Sequence, residues 1–265
     1  MKGRTQSNGR ELLILTCSVE ARVDRSYHAG QDKSVRLRDY LNSISSWINL
    51  AKENNWDLYV LENSGHINDL LEGLRFWQDE NAERGQIQFF ACELDTVSAK
   101  NGISQGEFNM LREAVFPQVE NYEFIWKATG RTFVENVPRV TQNCGKPDLL
   151  VELTFVPYVS ANSRFFGMKS EMWQQFLQPK INFLQRKDAP NNKLSYQSIE
   201  EYLTFFTLKK MHEGKRVELF EEILIHRGNS GSTDKPINNK RRRILLLFLN
   251  PIRPHLRKLL MGIIP

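Results

Sequence analysis

The sequence is poor in cysteine, with Cys17, Cys92 and Cys144 the only three in 265 residues. The number is odd and no two are spaced as Cys-x-x-Cys, which argues against a zinc site and against a disulfide framework. Reduced thiols in a cytoplasmic protein are the expected state. Cys17 and Cys92 fall in apolar, strand-like runs, where a thiol packs as a small hydrophobe. No stretch of about eighteen apolar residues occurs, so no spanning helix is expected. Residues 1–10 are polar and hold no apolar core of a secretory leader. Acidic residues are missing from Lys240 to Pro265, where Lys240, Arg241, Arg242, Arg243, Arg253, Arg257 and Lys258 stand. Those seven cations exceed the formal net charge of +5, which leaves −2 for the rest of the chain. The pI of about 9.1 therefore describes the tail. A fold-wide nucleic-acid footprint is not implied, and no nucleic-acid partner is expected.

Several chemical signatures are also missing. There is no Gly-x-Gly-x-x-Gly and no Gly-x4-Gly-Lys-Ser/Thr, so neither the dinucleotide fingerprint nor the P-loop is present. His-Glu-x-x-His is absent too, which removes the zinc-protease helix.

What is present suits one packed domain. Hydrophobic residues make up 40% and charged residues 25%, enough apolar surface for a core without disulfides. Leu12–Val19 reads as a buried strand. Val35–Asn54, with Leu37, Leu41, Ile44, Trp47, Ile48 and Ala51, has helical spacing. Trp56–Leu61 and Gln86–Cys92 read as strands, Ile67–Ala82 and Gln105–Val115 as helices, and Tyr122–Trp126 as a fourth strand. This alternation predicts an α/β fold with an open, mostly parallel sheet flanked by helices. In the second half, Leu149–Tyr158 reads as a strand. Arg164–Gly167 leads into a helix over Ser170–Phe183, with Pro179 as its expected breaker. Ser198–His212 is a further helix. The expected division is a catalytic domain over 1–237, with halves of about 11–140 and 141–237, and a basic amphipathic tail over 238–265.

Ligands of open parallel sheets bind beyond the carboxyl ends of the strands. Those ends are polar here: Ser18, Glu20 and Arg22; Glu62, Asn63, Ser64 and Gly65; Asp95, Lys100, Asn101 and Gly102; Lys127, Thr129, Gly130 and Arg131. Three of the four carry cations, which points to an anionic ligand. The fourth end holds Lys127-Ala-Thr-Gly-Arg131 where a carboxylate pair would hold a divalent metal. A lysine and an arginine can neutralise a diphosphate directly, and Gly130 admits a close approach of the backbone. The alternative is a turn with two solvated cations.

The order of Leu15-Thr16, Val35-Arg-Leu-Arg-Asp-Tyr40, Val60-Leu-Glu-Asn-Ser-Gly65, Lys100-Asn-Gly, Gly106-Glu107 and Lys127-Ala-Thr-Gly-Arg131 resembles bacterial glycosyltransferases of surface-polysaccharide (capsule or O-antigen) clusters, which are similar to the GT-A class. Arg164-Phe-Phe and Gly228-Asn-Ser-Gly-Ser232 fit as well, and the resemblance spans roughly residues 12–235. It implies a GT-A-like sheet and a nucleotide-sugar donor. Thr16 and Glu62, Asn63 and Ser64 would border the base and ribose. Lys100, Lys127, Thr129, Gly130 and Arg131 would face the diphosphate. The usual Asp-x-Asp is missing, so no cofactor is firmly implied, and a requirement for Mg or Mn is left open.

An inverting transfer needs a carboxylate to take the acceptor's proton and a cationic site for the leaving diphosphate. Glu107, Glu200 and Glu201 are the candidates. Glu107 follows Gly106 at an expected helix start, a place that equally suits capping. Ser198 and Glu201 fit a capping box, which leaves Glu200 as the chosen base. The five histidines are scattered and are expected to be structural. Trp173, Phe165 and Phe166 offer rings that would suit a sugar site, but core packing is the expectation.

The tail mixes cations with Ile244–Leu249, Leu256, Leu259, Leu260 and Ile263. Aliphatics beside cations suit an anionic membrane surface, at about 1 kcal/mol per cation. The expectation is a peripheral enzyme on the inner face of the cell membrane, bound through residues 240–264 and acting on a glycan or lipid-linked acceptor. The rival readings are a nucleotidyl- or sulfo-group transferase and a non-catalytic membrane adaptor.

Overall fold

The computed structural model describes residues 9–20, 32–75, 86–92, 103–142, 144–154, 159–178, 182–183, 195–196, 198–220, 222 and 224–228. The first half alternates as read: β1 (Glu11–Cys17), α1 (Lys33–Asn54), β2 (Asp57–Glu62), α2 (Ile67–Gly73), β3 (Ile87–Ala91), α3 (Ile103–Ala114), a 3-10 turn (Phe116–Asn121) and β4 (Phe124–Thr129). There follow β5 (Thr132–Val134), α4 (Val137–Gln142), β6 (Leu149–Val151), β7 (Leu153–Thr154), β8 (Ser160–Ala161), β9 (Phe165–Lys169) and α5 (Ser170–Leu177). The last elements are β10 (Asn182–Phe183), β11 (Ser195–Tyr196), α6 (Ile199–His212), β12 (Val217–Leu219) and β13 (His226–Gly228). Among the described residues no helix is long and apolar enough to cross a membrane.

The main sheet has seven strands in the order β12-β6-β9-β4-β1-β2-β3. All neighbours run parallel except β9, which is antiparallel to β4 and to β6. The chain steps from β1 to β2 and β3 on one side, then returns to β4 on the other. The gap between the carboxyl ends of β1 and β4 is therefore the topological switch point, where open sheets leave a crevice.

Side chains alternate across the sheet. On one face Leu12, Ile14, Tyr59, Leu61 and Ile125 pack with Phe108, Leu111, Trp173, Phe176 and Leu203 from α3, α5 and α6. On the other, Leu13, Leu15, Val60, Trp126 and Ala128 pack with Tyr40, Ile44, Trp47 and Ile48 of α1. The fold class expected from the alternation is the one observed. Trp173, Phe165 and Phe166 are core, and Cys17 and Cys92 are buried thiols.

The helix ends follow local chemistry. Asp32 caps α1 by accepting from Ser34 N at 2.9 Å, and Asn55 closes it at a left-handed φ of 55°. Ser198 caps α6 by accepting from Glu201 N at 3.1 Å. Helix α5 ends at Leu177, with Gln178 N still donating to the Gln174 carbonyl at 2.9 Å.

Three expectations need correction. The fourth strand runs from Phe124 to Thr129 instead of stopping at Trp126. Pairing with β1 on one side and β9 on the other carries it through polar residues, since ladder bonds do not depend on side-chain type. Arg164–Gly167 does lead into a helix, α5 at Ser170, but the lead is itself a strand: Phe165–Lys169 forms the antiparallel β9. It fits because Gly167 has no Cβ, which would overlap the rings of Phe124 and Trp126. The strand read over Leu149–Tyr158 breaks into β6 and β7, with residues 155–158 outside the described set. Residues 76–85, Lys100 and the tail from residue 229 onward also lie outside it.

Candidate active site

Alternation along β4 decides where its polar residues go. Ile125, Lys127 and Thr129 share the face packed by α3 and α6. Lys127 is wholly buried at 0% exposure. An isolated buried ammonium is costly, so it must be paired. Its Nζ forms an ion pair with Glu107 Oε1 of α3 and donates to the Ser163 carbonyl at 2.8 Å and to Thr129 Oγ1 at 3.3 Å. Thr16 Oγ1, at the end of β1, donates to the same Glu107 oxygen at 3.0 Å. Ser163 Oγ donates in turn to Glu200 Oε1 of α6 at 2.5 Å.

Five of the residues singled out in the sequence thus converge at the switch point: Thr16, Glu107, Lys127, Thr129 and Glu200. They come from β1, α3, β4 and α6. One detail differs from expectation. Helix α3 begins at Ile103, so Glu107 stands in its second turn, where the terminal dipole has faded. Its ionised form is matched by Lys127 instead.

Arg131 is not part of this cluster. It lies in the turn after β4, 1% exposed, and reaches the α1 side of the sheet. There Nη2 and Nε donate to Asp39 Oδ2 at 2.9 and 3.3 Å. Gly130 between them donates its N–H to the Thr16 carbonyl at 2.9 Å. A Cβ at Gly130 would overlap Cys17 Sγ, so the glycine serves the close approach of β4 to β1.

The corner after β2 is built around Glu62, which is 1% exposed. Its carboxylate accepts from Val19 N at 3.3 Å, Ser64 N at 2.9 Å, Ser64 Oγ and His66 N at 2.8 Å. Ser64 Oγ accepts from Glu20 N at 3.0 Å. From the other side Arg36 of α1 donates to the carbonyls of Val19 and Ser18 at 2.9 and 2.6 Å, and Tyr40 Oη accepts from Ser18 N at 3.0 Å. The backbone of Ser18–Glu20 is held between a buried carboxylate and a buried guanidinium. Burial, with the Cys17 thiol adding to it, pushes the Tyr40 phenol up to about 12. Asn63 is 6% exposed, and its Oδ1 has no hydrogen-bond partner. In this corner Asn63 holds an acceptor still to be satisfied. His66 sets Nε2 against Glu20 at 2.7 Å and Nδ1 against Asp69 at 3.1 Å.

Reading the sequence missed Arg36, Asp39, Ser163 and the cluster of Glu152, Asn162 and His226. For Arg36 and Asp39 a signal existed: charges three apart on the buried side of α1, beside Tyr40. Ser163 carries none. Glu152 and His226 are buried, and Asn162 Nδ2 donates to Glu152 Oε2 at 2.6 Å. Among the described residues no group of three or more His, Cys, Asp and Glu side chains is disposed to hold a metal ion.

No protein-family model matches the chain, and no curated protein matches it. Solved structures do. A 4-diphosphocytidyl-2C-methyl-D-erythritol synthase from Anaerococcus prevotii is 12% identical over 94% of this chain and 98% of that one, with a TM-score of 0.43. The glycosyltransferase GlyE of Streptococcus pneumoniae is 10% identical over 80% of this chain and 45% of its own, with a TM-score of 0.43. The mannosyltransferase Ktr4p of S. cerevisiae is 10% identical over 64% of this chain and 60% of its own, with a TM-score of 0.38. At such identities and scores these likenesses carry no argument about chemistry, which has to come from the site itself.

Proposed function

We propose that this chain is a glycosyltransferase that moves a sugar from a nucleotide-sugar to a glycan or lipid-linked acceptor. The observation that carries the reading is the buried Lys127, held at the switch point between a carboxylate of α3 and a turn bonded to a carboxylate of α6. A cation in that place meets the leaving diphosphate, and a carboxylate beside it meets the acceptor. The sequence resemblance supports the same reading.

In an inverting transfer the acceptor oxygen forms its bond to the anomeric carbon as the bond from that carbon to the diphosphate oxygen breaks. The acceptor's proton passes to Glu200, and the nucleoside diphosphate leaves with the electron pair. Lys127 stabilises that leaving charge, and the incoming diphosphate competes with Glu107 for the ammonium. Thr16 and Thr129 flank it. Asn63 supplies an acceptor to an N–H of the base, while Glu62 and Ser64 shape the turn that carries it. Lys100 stays assigned to the diphosphate side. Arg131 we assign to holding the β4 turn on α1 through Asp39. Mg or Mn is not needed by this scheme and is left to experiment.

The finer reading places the enzyme in bacterial capsule or O-antigen synthesis, peripheral on the inner membrane face through residues 240–264. Within it, 1–237 is the catalytic domain, with donor and acceptor halves. The first test is a thermal-shift series with UDP-glucose, UDP-N-acetylglucosamine and GDP-mannose, with and without Mn²⁺. Stabilisation of the wild type and its loss in Lys127→Met are the expected results. A variant that keeps the full shift removes the diphosphate role of Lys127.

A further inference from the structure

We propose that Ser163 is a positioning residue that ties the cationic side of the site to its base; this deepens the sugar-transfer reading and rests on it. Ser163 is 4% exposed and faces both halves. Its carbonyl accepts from Lys127 Nζ at 2.8 Å, and its hydroxyl donates to Glu200 Oε1 at 2.5 Å. Among the described residues no other residue is hydrogen-bonded to both.

The turn that carries Ser163 is fixed on three sides. Asn162 N donates to the Glu152 carbonyl at 2.9 Å, and Asn162 Nδ2 to the Glu152 carboxylate at 2.6 Å. Arg164 N donates to Asn162 Oδ1 at 3.1 Å, and the Arg164 carbonyl accepts from Thr129 N at 3.0 Å, which ties the turn to β4. Ala161 N donates to Thr204 Oγ1 at 2.7 Å, and Thr204 Oγ1 donates to the Glu200 carbonyl at 2.6 Å, which ties it to α6. Lys127 and Glu200 are thus held at a set separation through one residue. Nothing in helix capping calls for the Ser163–Glu200 bond, because Ser198 already caps α6.

The hydroxyl occupies Oε1 of Glu200. Among the described residues Oε2 has no hydrogen bond, which leaves that oxygen for the proton of an acceptor hydroxyl in the proposed transfer. An alanine at 163 removes only the bond to the base and keeps the carbonyl on Lys127. The two effects are therefore separable: donor binding stays and the rate falls, because a loosened base loses its alignment.

The test compares full-length wild type, Ser163→Ala and Ser163→Thr. Donor binding is read by thermal shift with UDP-glucose, UDP-N-acetylglucosamine and GDP-mannose. Turnover is read as release of UDP or GDP with water as the acceptor. The expected result for Ser163→Ala is donor affinity within about twofold and turnover roughly tenfold lower or more, with most of the rate returned in Ser163→Thr. Wild-type turnover in Ser163→Ala, or a matching loss of binding, overturns the proposal. A crystal structure of Ser163→Ala is the second readout. Glu200 displaced while Lys127 keeps the carbonyl supports it, and Glu200 unmoved overturns it whatever the turnover. A wild type that binds none of the three donors overturns the sugar-transfer reading itself, and the coupling with it.

Discussion

Lys127 shows what one residue asks of its surroundings. Its side chain is closed to solvent, so its charge is met by Glu107 and its remaining protons by Ser163 and Thr129. Removing the lysine alone leaves Glu107 facing a void, and breaking such a pair costs about 3 kcal/mol. Neutralising both partners, as in Lys127→Met with Glu107→Gln, should recover much of that loss, since the desolvation penalty goes with the charges. Urea unfolding of the two single variants and the double completes the cycle. Additive losses would mean the pair is not coupled. Burial also acts on the thiols. It pushes Cys92, whose ordinary value is 9.0, up to about 12. The unfolded chain releases that proton first, so the stability Cys92 contributes is whole below pH 9 and is lost as pH rises toward 12. Denaturant midpoints between pH 8 and pH 11 should fall less steeply in Cys92→Ala than in wild type.

At the scale of elements, α1 does more than cover the sheet. Arg36, Asp39 and Tyr40 hold the Ser18–Val19 backbone and the Arg131 turn, so one helix positions the loops after two strands. Periodicity located α1 almost to the residue because its apolar stripe is continuous. The end of β4 escaped the same reading. Lys127 and Thr129 look like loop residues until strands on both sides supply their backbone partners. Strand β9 escaped because Arg164–Gly167 is too short to show a period, and only its neighbours make it extended. Its place in the sheet depends on Gly167. Gly167→Ala would drive a methyl into the Phe124 and Trp126 rings and should cost about 2 kcal/mol, read as a lower thermal midpoint. A change at the surface of α6 such as Glu201→Ala should cost far less.

For the whole molecule, the alternation of strands and helices made the α/β class legible, and the ends of the strands made the site's general place legible. The partners within the site were not. Glu107 and Glu200 could be named as carboxylates of the right type, but their convergence on Lys127 depends on α3 and α6 packing on the same face, which no local pattern encodes. The charge distribution is a whole-chain property as well. Deleting residues 239–265 should abolish flotation with anionic liposomes and leave nucleotide-sugar turnover detectable. A truncated protein that still floats would place the membrane contact elsewhere.

Strand β13 pairs antiparallel with β5, so that Gly228 sits abreast of Thr132, two residues beyond Gly130. Strand β13 therefore lies at the same end of the sheet as the switch point, and far from the outer edge at β3. A reporter dye placed on β13 would for the same reason sense events at Lys127 more sharply than one placed on β3.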